Sequence, residues 1–250
     1  MKDYHVHSSF SADSDAPMEE MIRAGIRRGL TDICFTEHVD FKHPDMEFSL
    51  NVPSYLAVID ENRRRFAGRI RIHAGVELGV EPNNMEDALA FYREYKNTVE
   101  FWLGSCHVFN GHDPYDADFF SQYPAEDVYR DYFAGVEYVA DHFPEANSFA
   151  HLDYVRRFDP ASEKYSLDDH REVLTRILSK IIRSGAALEI NTSSLRRGDT
   201  DPNPRRDVLR LYHDLGGRAV TLGSDAHEPA HVGLYLPESE ALAGELCLRI

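Results

Sequence analysis

Tyr4-His5-Val6-His7, running into Ser8-Ser9-Phe10-Ser11-Ala12-Asp13, is the stretch on which the reading of the fold turns. Residues two apart on an extended strand share a face, so His5 and His7 direct their rings at one point. Two imidazoles meeting at a point suit a divalent transition metal. One such pair carries little weight in a chain of 250 residues with 13 histidines. Recurrence gives it weight, because Glu37-His38, Glu77, His107, His151 and Asp225-Ala226-His227 each close another short apolar run.

Between those runs the periodicity is helical. Pro17 followed by Met18, Met21, Ile22 and Ile26 predicts a helix that Gly29 ends, and residues 31–36 (TDICFT) predict strand two, with Glu37-His38-Val39-Asp40 at its exit. A helix with Leu56, Ile59 and a solvated Arg63-Arg64-Arg65 run precedes strand three at 69–78. Met85, Leu89, Tyr92 and Tyr95 mark the next helix, and 101–107 (FWLGSCH) strand four. The polar loop through Gly111-His112-Asp113-Pro114 to Pro124 reads as a wall or lid of the site. After a helix marked by Val128, Tyr132, Val136 and Val139, strand five is expected at 149–154, with His151 and Asp153 on one face. Residues 168–184 form the clearest amphipathic helix, with Val173, Leu174, Ile177, Leu178, Ile181 and Ile182 in its stripe and Gly185 after it. Strand six (187–191), a helix at 204–215 and strand seven (219–223) complete the chain.

Strand and helix alternating seven times call for a parallel sheet with helices outside it, an α/β barrel one unit short of the eight-stranded TIM barrel. In such barrels the chemistry sits at the C-terminal strand ends, where all the His, Asp and Glu residues named above lie. No linker or repeat interrupts the pattern, so 1–250 reads as a single domain. A formal charge of −16 argues against holding long nucleic acids through a basic surface. Cys34, Cys106 and Cys247 are widely spaced and form neither a disulfide framework nor a zinc ribbon. With no signal-peptide layout and no bilayer-spanning run, the expected location is cytoplasmic, with no membrane partner.

Nine candidate metal ligands emerge: His5, His7, Asp13, His38, Glu77, His107, His151, Asp225 and His227. They are too many for one ion. Two or three divalent ions are expected, zinc, manganese or iron, with Glu77 a bridge between them and all the ligands but Asp13 counted as catalytic. Arg156-Arg157 and Arg196-Arg197 are the basic pairs placed to grip a phosphate, one of each pair being expected to face solvent. Glu189 and Asn191 would orient ligands from behind. Cys106 should face the helical shell, His73 should sit lower in the barrel, and Asp40 and Asp113 read as solvated loop acids before they read as partners of a cationic group on a substrate.

Taken together, the motifs His5-Val-His7, Thr36-Glu37-His38, Gly75-Val-Glu77, Gly104-Ser-Cys-His107, His151-Leu-Asp153 and Gly223-Ser-Asp225-Ala-His227 resemble the polymerase and histidinol phosphatase (PHP) superfamily over nearly the whole chain. Residues 151–158 and 188–197 are most similar to its stand-alone histidinol-phosphatases. The resemblance implies a distorted seven-stranded (β/α)7 barrel and a trinuclear metal site. It also implies hydrolysis of L-histidinol phosphate to L-histidinol in histidine biosynthesis, with a metal-bound hydroxide as nucleophile. Asp13 stands at a position that varies in the superfamily, and Ser194 where relatives often have Gly. The alternatives are a phosphoesterase for another small ester, such as a nucleotide or short oligonucleotide, a hydrolase of amides or lactones, and, more remotely, a non-catalytic metal-binding protein.

Overall fold

Seven parallel strands pair in sequence order in the computed structural model, which describes residues 1–109, 111, 119–162 and 165–250. They are β1 (Lys2–Val6), β2 (Asp32–Val39), β3 (Arg71–Gly79), β4 (Phe101–Ser105), β5 (Ser148–Phe149), β6 (Ala187–Asn191) and β7 (Val220–Gly223). A parallel bridge from Val6 to Ala226 brings the last strand back to the first, so the sheet curls into a nearly closed barrel. At that seam Asp3 does part of the joining: its carboxylate accepts from the Ser224 N–H (2.9 Å), the Ser224 hydroxyl (2.6 Å) and the Gly233 N–H (2.9 Å). Burial pushes this carboxyl up to about 6 even with those donors around it.

Helices lie outside at each place expected, and those at Phe119–Gln122, Ser193–Arg196 and Leu236–Glu245 were not expected. They include α1 (Met18–Arg27), α2 (Val52–Arg65), α3 (Met85–Tyr95), the short α4 (Phe119–Gln122), α5 (Ala125–His142), α6 (Leu167–Ser184), the single turn α7 (Ser193–Arg196), α8 (Arg206–Asp214) and α9 (Leu236–Glu245). In α6, Ser166 caps the start by accepting the Asp168 N–H, and Gly185 ends it at φ 82°. Leu174, Ile177, Leu178 and Ile181 of its stripe are fully buried, each side chain contributing about 1.5–3 kcal/mol, while Val173 and Ile182 are partly buried against the core. Cys106 joins this outer layer against α5, as expected. A separate apolar group, Cys34, Phe101, Leu103 and Ala150 with Tyr4 against it, packs together, Cys34 sharing strand parity with His38, and Phe101 and Leu103 with His107.

Several strand boundaries differ from expectation by a residue or two, and two differ by more. β2 runs on through Glu37 and His38, in register with Val76 and Glu77 of β3. β5 stops at Phe149, well short of 154, and Tyr154–Phe158 is a 3-10 helix. The reason is chemical: the His151 N–H donates to the Glu189 side chain (2.8 Å) in place of a ladder carbonyl. The same device recurs just beyond β1, where the Ser8 N–H meets Glu37 (3.0 Å), and beyond β4, where the Val108 N–H meets Glu81 (3.1 Å). Each carboxylate satisfies a backbone donor that the sheet has released and lets the chain turn at the rim. The stretch 112–118, with His112, Asp113 and most of the expected lid, lies outside the described residues. No helix among the described residues is long and apolar enough to cross a membrane.

Candidate active site

Glu77 stands at the centre of the upper rim, fully buried, with five imidazoles around its carboxylate. His5 Nε2 lies 2.9 Å away, His107 Nε2 and His151 Nε2 3.0 Å, His38 Nδ1 3.4 Å and His7 Nε2 3.5 Å. Asp225 adds a second carboxylate, 3.7 Å from His5 and 3.6 Å from His7 and from His227. Asp13, from the loop after β1, reaches His227 (3.0 Å) and His38 (3.5 Å) at the mouth. All nine residues singled out from the sequence therefore meet in one place.

The strands deliver them by parity, and close backbone approaches make room. A Cβ on Gly223 would run into Glu189 and His5, and one on Gly79 into the Asp40 carboxylate. Asp225 itself sits in the left-handed region at φ 53°, which Asp tolerates better than most residues and which turns its carboxylate inward.

Outer partners set the tautomers. His5 Nδ1 bonds Glu189 at 2.6 Å and His107 Nδ1 bonds Asp40 at 2.9 Å, so each ring donates outward and turns an Nε2 lone pair toward Glu77. The Ser11 hydroxyl gives its proton to Glu37 (2.6 Å) and therefore accepts from His7 Nδ1 (3.2 Å), which leaves His7 Nε2 bare. That nitrogen and His38 Nδ1 are buried without a hydrogen-bond partner among the described residues. Asn191 donates to Glu189 (3.2 Å) and Asp225 (3.4 Å), the support that its position beside Glu189 on β6 suggested.

Lone pairs converging on carboxylates need a cation between them. In its absence protons take that part. Burial pulls the His5 imidazole down, but Glu189, Glu77 and Asp225 outweigh it and hold the ring well above its ordinary range; Asp40 and Glu77 do the same for His107. Burial pushes Glu77 up, yet His5, His107 and His38 hold it well below the usual carboxylate range. His7 is held well below the imidazole range by burial and by His227 and His38, each of whose ring centroids lies 4.2 Å from its own. The donor set suits divalent ions, and three groups are close enough to hold one: His7, His38 and His227; His5, His7 and Asp225; His38, Glu77 and His107.

Above the cluster opens a cavity of about 530 Å3. Arg157, Arg196 and Arg197 line it, together with Tyr154, His43, Asp45, Met46, Phe48, Glu228 and His231. Arg157 lies over the Tyr154 ring at 4.0 Å, and Arg196 is anchored on the Ser224 and Asp225 carbonyls. Ser194 donates to the Asp201 carbonyl (2.8 Å), a bond within the Arg196 loop that a Gly there could not make.

Two expectations are corrected. Arg156 does not reach the cavity, because Asp153 and Asp199 draw its guanidinium into the protein. Asp40 is neither a solvated loop acid nor free for a cationic group, because the residue is 4% exposed and its carboxylate is committed to His107. The wall contributed by 43–48 and 228–231 escaped the sequence, since nothing in loop composition says which side chains turn back toward a strand end. Asp40 was within reach: two residues beyond His38, it shares that residue's parity.

Asp40→Asn is expected to lower kcat/KM about 10- to 100-fold with a smaller effect on folding, since the amide frees His107 to rotate. Kinetics and zinc content of the variant check this.

Residues 3–193 match the PHP domain family. The chain belongs to that family. Among PHP relatives, it is 37% identical to the histidinol-phosphatase of Lactococcus lactis over 235 residues, 90% of this chain and 83% of that protein. It is 24% identical to the histidinol-phosphatase of Saccharomyces cerevisiae, over 94% of this chain and 85% of that one. Among solved structures, the Lactococcus lactis histidinol phosphate phosphatase, complexed with zinc, L-histidinol and phosphate, superposes with a TM-score of 0.91 at 33% identity, covering 99% of this chain and 94% of that one. A Listeria monocytogenes structure at 18% identity shares this fold, with a TM-score of 0.82, covering 94% of this chain and 98% of that one.

Proposed function

We infer that this chain is a metal-dependent phosphomonoesterase that hydrolyses L-histidinol phosphate to L-histidinol and phosphate in histidine biosynthesis. The observation that carries the reading is the convergence of five imidazoles on Glu77 beneath a cavity rimmed by Arg157, Arg196 and Arg197. The whole-length likeness to a phosphatase solved with zinc, L-histidinol and phosphate supports the same substrate.

The proposed ligands are His5, His7, Asp13, His38, Glu77, His107, His151, Asp225 and His227, holding two or three ions with zinc foremost. Such ions, when bound, supply Lewis acidity and an activated water to phosphoryl transfer. The protein's own groups do the rest. Glu189 and Asp40 keep His5 and His107 in the ligating tautomer. Arg157 and Arg196 neutralise the phosphoryl oxygens and orient the ester, Arg197 adding charge at the rim. Tyr154, packed on His151 and carrying Arg157, forms the floor on which that guanidinium rests. Asp45 and Glu228 line the cavity with charge of the sign that a substrate ammonium group needs. The whole of 1–250 acts as one catalytic domain in this reading. A reducing cytoplasm suits its free thiols, two of them buried.

Phosphate release from L-histidinol phosphate, with zinc, manganese or iron resupplied and with nucleotides and sugar phosphates alongside, tests the reaction. Histidinol phosphate should be strongly preferred, and chelator should abolish turnover. Equal turnover of nucleotides would move the substrate to another ester. Arg157→Ala and Arg196→Ala should each lower kcat/KM on the order of 100-fold; wild-type kinetics in both would remove the arginines from the site.

A further inference from the structure

Arg156 is charged, 5% exposed and turned away from the cavity that its neighbour Arg157 lines. Its guanidinium lies between two segments of chain. On its own side is Asp153, 3.8 Å from Nε. Across from it, on the loop that follows α7, Asp199 takes Nη1 and Nη2 on its two oxygens at 3.4 Å each, and the Asn203 side-chain oxygen lies 3.5 Å from Nη2. The same segments are joined again where the Arg205 N–H donates to Asp153 at 3.0 Å. Asn203 also exchanges two backbone hydrogen bonds with Asn191 at the end of β6, at 2.7 and 2.9 Å.

These segments carry the arginines of the cavity. The 3-10 helix after β5 bears Arg157; α7 and the residue after it bear Arg196 and Arg197. We propose that Arg156 is a positioning residue, a clasp that acts through Asp199 and Asn203 to set the spacing between Arg157 on one segment and Arg196 and Arg197 on the other, and with it the affinity for a phosphoryl group. The proposal rests on reading the cavity as a phosphate site.

Stability alone is a poor account of such a group. An enclosed ion pair often contributes no more than apolar side chains of the same volume. Direction is what a forked guanidinium adds, because two donors in one plane fix both the distance and the angle to a carboxylate. The arginines in the cavity are long and have many rotamers, so they bind a phosphate well only when their backbones are held at the right separation.

The experiment uses the zinc-loaded full chain, titrated calorimetrically with inorganic phosphate, with zinc content and melting temperature measured on the same preparations. Arg156→Met is expected to weaken phosphate binding on the order of 10-fold, the effect of a small misplacement of oriented groups. Asp199→Asn should weaken it about 3-fold, and the double variant no more than Arg156→Met, since both break one contact. Arg156→Lys, which keeps the charge and loses the fork, should recover only part of the affinity. Zinc content should hold, because the Asn203 to Asn191 backbone pairing behind Asp225 does not use Arg156. In turnover, KM for histidinol phosphate should rise more than kcat falls.

Unchanged phosphate affinity in the single variants, additive losses in the double, or loss of zinc in step with phosphate would each overturn the clasp. Should Arg156→Met fail to fold, Asp199→Asn decides, because that carboxylate is 30% exposed and the amide keeps its shape. A wild-type protein that bound zinc but no phosphate would sink the phosphate-site reading first and this proposal with it.

Discussion

Glu77→Gln is expected to lower kcat/KM for phosphoester hydrolysis on the order of 1,000-fold or more, a larger loss than that from a residue supporting the ligands. The substitution keeps shape and removes charge. In the wild-type protein the carboxylate faces His5, His107 and His151 at 2.9–3.0 Å and His38 and His7 at 3.4 and 3.5 Å. An amide offers one acceptor where two are needed, and its NH2 group points a donor at the place where a cation would sit. Asp225 and Asp13 then remain as the site's inner carboxylates, and neither is as central. Zinc content, measured by metal analysis beside the kinetics, should fall in the variant. A variant with full zinc content and wild-type turnover would remove Glu77 from its central role.

Removing the metal has the second large effect. Chelated protein should lose all turnover and melt on the order of 10 °C lower than protein in zinc at about 1,000 times its Kd, from about 4 kcal/mol of linked stability and the usual entropy of unfolding for a chain of this length. The size of the shift depends on pH in a direction that the site prescribes. Without metal, His5, His38 and His107 have raised pKa values, so their contribution is complete below the ordinary imidazole value and is lost as pH rises through the folded-state values. Glu77 and Asp225 have lowered values, so theirs is complete above the ordinary carboxylate value and is lost as pH falls through the folded-state ones. These five groups together therefore contribute most to the metal-free protein in the mildly acidic window between the two. Metal needs the imidazoles neutral and binds better as pH rises. The gain in melting temperature on adding zinc should thus grow from pH 6 to pH 8, as paired scans with and without chelator would reveal. A gain that shrank over that range would mean that the imidazoles are not the ligands.

Much of this was legible before any coordinates, and for an identifiable reason. A parallel barrel repeats one rule at every strand: apolar residues inside the sheet, chemistry at the C-terminal exit. Period-2 parity therefore places His5, His7, His38, Glu77 and His107 correctly even where a boundary is off by a residue or two. His151 shows the limit. It reaches Glu77 as expected, yet from a turn, because Glu189 takes its N–H and ends β5 two residues earlier.

Local pattern accounts for the alternation of elements, the amphipathic stripe of α6 and the set of residues that gather on the rim, since each depends on spacing within a few residues. Long-range pairing settled the rest. Arg156 and Arg157 are adjacent and chemically identical, and only Asp153 and Asp199, the latter 43 residues away, turn one inward and leave the other at the cavity. Asp40 became a support for His107 across 67 residues, and Asp3 closed the barrel against Ser224 across 221. Partners of that kind are chosen by how a buried charge can be satisfied in three dimensions, and no periodicity along the chain records the choice.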